Sequence, residues 1–150
     1  MVAVYPKWKQ ALFQEAQANK SLDQTTAQDG VYCALVFNTY TYNTAHQFYT
    51  DLGANVAASL QITSPTVAQA LIPTGVPPTT LAPVFDGNDC TFISVTGGTI
   101  NALALYRHNS GANSTWRLVF FYDNTGYGLP VTPAGGNVIV SWNPSGIFQI

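Results

Sequence analysis

At 150 residues the chain lies near the commonest domain length and buries roughly 70% of the surface its unfolded form exposes, so one core needs no disulfide or metal to hold it. Charged residues make up 8% of the chain against about 25% in ordinary soluble proteins, and apolar residues 47%, so Thr, Asn, Ser and Gln must cover the surface. The formal charge of -2, with cations only at Lys7, Lys9, Lys20, Arg107 and Arg117, is too little to neutralise a run of phosphates and excludes nucleic acid as a partner.

A neutral polar skin costs less to strip of water than an ionic one, which suits a chain whose surface is covered in its working state. No stretch approaches the roughly 18–20 apolar residues of a membrane span, so no membrane partner is expected. Met1 to Val4 runs straight into Pro6-Lys7-Trp8-Lys9 without the basic and apolar regions of an export signal. The expectation is a chain made in the cytoplasm and forming one domain over residues 1–150.

Pro6 fits the first helical position, where its missing N–H is not needed. Trp8, Leu12 and Ala16 then recur every four residues, which predicts a short amphipathic helix over about 6–19. Lys7 and Lys9 oppose the helix dipole in the first turn, so burial of Trp8 and Leu12 must hold it. Residues 30–38, Gly-Val-Tyr-Cys-Ala-Leu-Val-Phe-Asn, predict a central strand by their β-branched and aromatic content. Thr39 to Asn43 alternates with period two and reads as an exposed extension of it; Ala45 to Leu52 reads as one or two helical turns.

Prolines at 65, 73, 77, 78 and 83 fix φ and remove donors, so residues 64–83 read as a Pro/Thr-rich loop, or as an arm laid across a neighbour, with a strand possible from Thr66. The second half predicts strands over 89–95, 99–108, 114–122 and 137–142. The middle two are joined by the Gly-containing loop 109–113 as a hairpin. Ile100, Ala102, Ala104 and Tyr106 face one way and Leu103 and Leu105 the other; on the second arm Trp116, Leu118, Phe120 and Tyr122 oppose Val119 and Phe121. A sheet with one wet face alternates polar and apolar, so this hairpin must be covered on both faces, by an opposing sheet and by the N-terminal helix or another subunit. The expected fold is mainly β, an antiparallel β-sandwich of jelly-roll-like type with a short N-terminal α-helix.

Residues for bond-making are scarce. His46 and His108 fall in unrelated segments, and no His-x-x-x-His, Cys-x-x-Cys or Gly-rich phosphate loop occurs. Asp86-Gly87-Asn88-Asp89 has the spacing of a calcium loop, but Asp and Asn bonding their own backbone around a glycine is the ordinary turn, and Asp123 to Gly126 reads the same way. His108 is expected on a solvated hairpin rim, and His46 half-buried and hydrogen-bonded. Cys33 and Cys90 lie in strand contexts and are expected as reduced core residues, with a disulfide between them as the alternative. No enzyme activity, cofactor or metal is expected. Aromatic residues are 13% of the chain, more than a core alone accounts for, and the surplus of Tyr suits a protein interface or stacking on sugars.

Several blocks in order carry a resemblance: Tyr5-Pro6-Lys7-Trp8-Lys9-Gln10-Ala11-Leu12, Thr39 to Phe48, Thr91-Phe92-Ile93-Ser94-Val95, and Thr125 to Gly136 followed by Ile139-Val140-Ser141-Trp142. Together they resemble a family of small structural proteins of tailed bacteriophages, although the 64–83 segment is longer than the family pattern. The resemblance implies a non-enzymatic virion component on the capsid surface. Its expected role is decoration or cement, stabilising the head shell through contacts with itself, as a homotrimer, and with the major capsid protein. The alternative is a tail or fibre component with a carbohydrate- or receptor-binding role. Tyr5, Trp8, Tyr40, Tyr42 and Phe148 are the expected interface residues.

Overall fold

The computed structural model describes residues 2–15, 22, 29–68, 84–123 and 127–149. The apolar run after Asp29 forms strand β2 (Gly30–Phe37), and the two arms of the predicted hairpin form β7 (Ile100–His108) and β8 (Arg117–Asp123). Joined by β1 (Val2–Val4) and β3 (Val56–Gln61), they make an antiparallel five-stranded sheet in the order β1-β8-β7-β2-β3. In β2 and β7 almost every residue is buried, because both faces of the sheet are covered. A strand enclosed on both sides loses the alternation of a half-wet one.

Two smaller antiparallel sheets accompany it. One joins β4 (Thr66–Ala68), β5 (Val84–Asp86) and β10 (Phe148–Gln149) in the order β10-β5-β4. The other is a ribbon of β6 (Cys90–Phe92) and β9 (Val138–Val140). Register divides the side chains of the large sheet between its faces. Cys33, Leu105, Phe120 and Val4 align across it, and Ala34, Ala104, Phe121 and Ala3 align one step along. The Phe120 face meets the small sheets: Phe120 stacks on Phe148 at 4.8 Å, and Phe148 on Phe85 at 5.1 Å. The Tyr122 hydroxyl, two residues along, donates to the Ile147 carbonyl. Gly146 makes this approach possible: a Cβ there would lie 2.1 Å from Val84 Cγ1, and its φ of +109° disfavours any side chain. The Phe121 face is covered by the helix and by the segment after β2, so the hairpin is enclosed on both sides as its sequence requires. The buried apolar residues form one continuous cluster across both faces.

The helix α1 (Pro6–Gln14) is shorter than its apolar stripe predicts. Tyr5 continues the β1 ladder, its N–H bonding the Val119 carbonyl at 3.0 Å, and then starts the helix by accepting from Trp8 N–H. At the far end Glu15 turns to extended geometry (φ -102°, ψ 162°) and its carboxylate pairs with the Arg117 guanidinium. A partner remote in sequence thus holds the chain extended at Glu15; residues 16–19 of the predicted helix lie outside the described ones. Thr39 to Asn43 is a turn and coil rather than a strand, and Ala45 to Leu52 contains one short 3-10 turn, Tyr49–Leu52, capped by Asp51, whose Oδ2 accepts from Gln47 and Phe48 N–H. The segment predicted as a strand from Ser114 begins instead with a 3-10 turn, Asn113–Thr115. Of the 64–83 segment, Ser64 and Pro65 are bend and coil, β4 is strand, and residues 69–83 of the predicted loop or arm lie outside the described ones.

Candidate functional site

Tyr5, Trp8, Tyr40 and Tyr42 converge, but inward. Tyr5 and Trp8 are wholly buried, and the rings of Tyr5, Tyr40 and Tyr42 surround Phe121 with centroids 5.2–6.2 Å away. Phe148 lies on the opposite face, 5% exposed in the stack with Phe85 and Phe120. The expectation that Tyr5, Trp8 and Phe148 present surface to a partner is therefore corrected: the chain's own core uses them. Tyr40 and Tyr42 are half-buried. The reason is that β1 places Tyr5 in register beside the uncovered face of β8, and helix α1 carries Trp8 down onto the same face.

This cluster is wired by hydroxyls. The Tyr5 and Tyr40 hydroxyls lie 3.1 Å apart, and Tyr40 Oη lies 2.7 Å from His46 Nδ1, so His46 is half-buried and hydrogen-bonded as expected. Burial holds the Tyr5 phenol far above its ordinary range, with the Tyr40 hydrogen bond adding to it, and burial raises Tyr40 and Tyr42. These groups stay protonated across the physiological range, and Tyr5 and Tyr40 serve as hydrogen-bonding struts.

A second aromatic group lies at the other end of β7. His108 stacks on Tyr32 at 4.7 Å and touches Trp116 at 4.0 Å, while Trp116 stacks on Tyr106 at 5.8 Å with 12° between planes. The expected solvated rim for His108 is thus replaced by a half-buried sandwich. The cause is a register shift between Leu105 and Tyr106, after which Tyr106 opposes Leu118. Trp116, placed by the 3-10 turn outside β8, leaves the side predicted from its alternation with Phe120 and joins Tyr106. Its Nε1 donates to the Asn109 and Gly111 carbonyls, fixing the ring against the loop.

Beside the helix lies a polar cavity of about 150 Å³, lined by Lys7, Gln10, Gln14, Glu15, Gln47 and Arg117. Arg117 is its fixed element. It pairs with Glu15, donates to Gln47 Oε1 at 3.0 Å, and sits over the Phe48 ring at 4.4 Å. Arg117 is thus paired within the chain, while Lys7 donates to the neutral Gln10 Oε1 at 3.3 Å.

The other candidates resolve as structure. Asp86 accepts from Gly87 N–H, but residues 87–89 are coil rather than the expected turn, and Asp89 Oδ1 accepts instead from the distant Trp142 N–H at 2.9 Å. The Asp123 to Gly126 turn includes residues 124–126, outside the described ones. Cys33 and Cys90 are both buried free thiols. Among the described residues no three His, Cys, Asp or Glu side chains gather as a metal site, and no helix is long and apolar enough to cross a membrane.

Exposed apolar side chains were missed by sequence reasoning. Ile93 is 76% and Ile139 59% exposed on the outward side of the β6–β9 ribbon, where Ile139 opposes the exposed Thr91. Phe13 is 89% exposed on the helix. Alternation along Cys90-Thr91-Phe92-Ile93 carries the signal, since Cys90 and Phe92 face inward and Thr91 outward. Around the ribbon pair Ser94, Asn137 and Ser141 are exposed, and none is charged. Compared with protein-family models, curated proteins and solved structures, the chain matches none.

Proposed function

We propose that this chain is a non-enzymatic structural protein of a tailed-bacteriophage particle, a decoration or cement protein that stabilises the head shell through protein–protein contacts. The observation that carries this reading is the outward face of the β6–β9 ribbon, where Ile93 and Ile139 stand on a surface of uncharged hydroxyls and amides. Burying such a patch gains about 25 cal/mol per Å² of apolar area and desolvates no ion. With 8% charged residues, many copies sit side by side with little mutual repulsion.

In this reading the chain is made in the host cytoplasm, assembles as a homotrimer and docks on the major capsid protein with the ribbon toward its partner. The finer architecture belongs to the same proposal: the two small sheets close over the large one as a sandwich of jelly-roll type. The test compares electron micrographs of particles assembled with the native chain, without it, and with Ile93→Asp/Ile139→Asp. The expectation is density at capsomer junctions that is lost in the doubly substituted particles although the substituted chain stays folded. Density retained with both aspartates present refutes the ribbon contact, and loss of a tail feature in place of head density refutes the location.

A second reading, a tail or fibre component binding carbohydrate, is favoured by the half-buried rings of Tyr32, His108 and Trp116. Aromatic faces of this kind stack on sugars. Titration with glycans while following tryptophan fluorescence separates the two, since the decoration reading expects no saturable change.

A further inference from the structure

The polar cavity beside the helix has an unbalanced lining. Lys7, Gln10 and Gln14 are spaced by three and four residues, which stacks them along one side of α1, and Gln47 and Arg117 reach the cavity from the segment after β2 and from β8. Two cations meet it against one carboxylate. Glu15 and Arg117 neutralise each other, so the single positive charge left over is that of Lys7, whose partner among the described residues is the neutral Gln10 Oε1. Hydrogen bonding leans the same way. Gln10 Oε1 accepts from Lys7 at 3.3 Å and Gln47 Oε1 from Arg117 at 3.0 Å, which engages the carbonyl end of each amide and leaves its NH2 end as a donor.

We propose that this cavity binds a small hydrophilic monocarboxylate such as acetate, held by the Lys7 ammonium and by the side-chain amide N–H groups of Gln10 and Gln47.

Charge, hydrogen bonding and space select this class of ligand together. One negative charge balances Lys7, whereas a doubly charged anion would carry a surplus against the Glu15 carboxylate. An ionised carboxylate offers acceptors only, which matches a lining whose Gln10, Gln47 and Glu15 oxygens are already engaged. The ligand must also be short. A cavity of about 150 Å³ admits few atoms beyond the carboxylate, and Ala11 is the one apolar residue in its lining, so a hydrocarbon tail finds no cover there. Arg117 keeps Glu15 from competing for Lys7. It holds that carboxylate while lying over the Phe48 ring at 4.4 Å, and burial draws its guanidinium below the ordinary value, so this side of the cavity is partly shielded from water. Charge contacts are stronger in such surroundings than in bulk solvent.

The experiment titrates the full chain, labelled with nitrogen-15, at about pH 7 with sodium acetate, with sodium chloride at equal ionic strength, and with acetamide, the neutral isostere. Acetate is expected to shift the side-chain amide signals of Gln10 and Gln47 saturably, with a dissociation constant on the order of 1–10 mM for so small a ligand. Chloride and acetamide should give no saturation. Lys7→Gln should weaken acetate by about fivefold or more, while Lys9→Gln, which removes an exposed charge from the same helix outside the cavity, should leave it unchanged. Unsaturable shifts with acetate, an equal response to acetamide, or equal affinities in the two lysine variants overturns the proposal. The wild-type titrations decide the question even where a substituted chain fails to fold.

Discussion

Phe120 and Phe121 are neighbours on β8 and enter opposite sides of the same sheet, where they meet different surroundings. Phe120 stacks on Phe148 in a core of phenyl rings and aliphatic chains. Phe121 is ringed by Tyr5, Tyr40 and Tyr42, whose hydroxyls must also be satisfied. The first side depends mainly on apolar area, with the Tyr122 hydroxyl tied to the Ile147 carbonyl at its edge. The second tolerates buried hydroxyls because those of Tyr5 and Tyr40 find each other and Tyr40 finds His46, which ties that side to the protonation of its phenols.

The largest effect expected from this difference is alkaline unfolding. Tyr5, Tyr40, Tyr42, Tyr49 and Tyr106 belong to the tyrosine side, and burial raises each of their phenols above its ordinary value; Tyr122 is the raised phenol on the other side. A group raised in the folded state keeps a proton that the unfolded chain releases, so its contribution is complete below the unfolded value of about 10 and falls as pH rises beyond it. The half-exposed Tyr40, Tyr42 and Tyr49 contribute less than Tyr5 and Tyr106. Stability should hold to about pH 9 and then drop, with phenolate absorbance and loss of near-ultraviolet circular dichroism rising together. Phenolate formation near pH 10 with the dichroism intact would show the hydroxyls open to water.

Substitutions sharpen the contrast. Phe120→Ala should cost about 3–5 kcal/mol in urea unfolding, because it opens a cavity between the sheets. Tyr40→Phe should cost about 1 kcal/mol, since it removes hydrogen bonds but little volume. Equal losses would mean that the two sides are held by the same forces.

The smallest effect compares two indoles. Trp142 Nε1 donates to the Asn88 carbonyl at 3.1 Å, whereas the buried Trp8 Nε1 has no hydrogen-bond partner among the described residues. Trp142→Phe strands a carbonyl, while Trp8→Phe removes a donor whose burial costs about 1–3 kcal/mol. Trp8→Phe should therefore be the milder change by about 1 kcal/mol in the same assay, and the reverse order would point to packing as the main role of both.

The long strands were legible because enclosure on two faces leaves a mark that local sequence carries: Val31 to Phe37 is wholly apolar and Ile100 to Tyr106 is broken only by Asn101. The short strands divide: β4, β6 and β9 fall where the sequence offered a strand, and three others do not. β1, β5 and β10 hold two or three residues each, too few for a period, and exist because a neighbour offers its edge. β3, Val-Ala-Ala-Ser-Leu-Gln, is half-exposed and made largely of small residues, so it lacks alternation as well. The helix end at Gln14 depends on Arg117, which no local pattern connects to Glu15. Within the candidate site, the tyrosines were legible as a group but their direction was not. A tyrosine has an apolar body and a polar tip, and only the arrangement of Tyr5, Tyr40 and His46 in space decides that the tips point inward.

The pairing of β2 with β7 also sets an order of events during synthesis. The ribosome must pass His108 before residues 30–37 can gain their second neighbour, and until then only β3 can stand beside them. Contacts this distant along a chain form slowly, on the order of milliseconds to seconds in sheet-rich domains. The nascent segment around Leu35 thus spends its youth sticky, and a holding chaperone or prompt completion of the β7–β8 hairpin decides how much of the chain escapes aggregation.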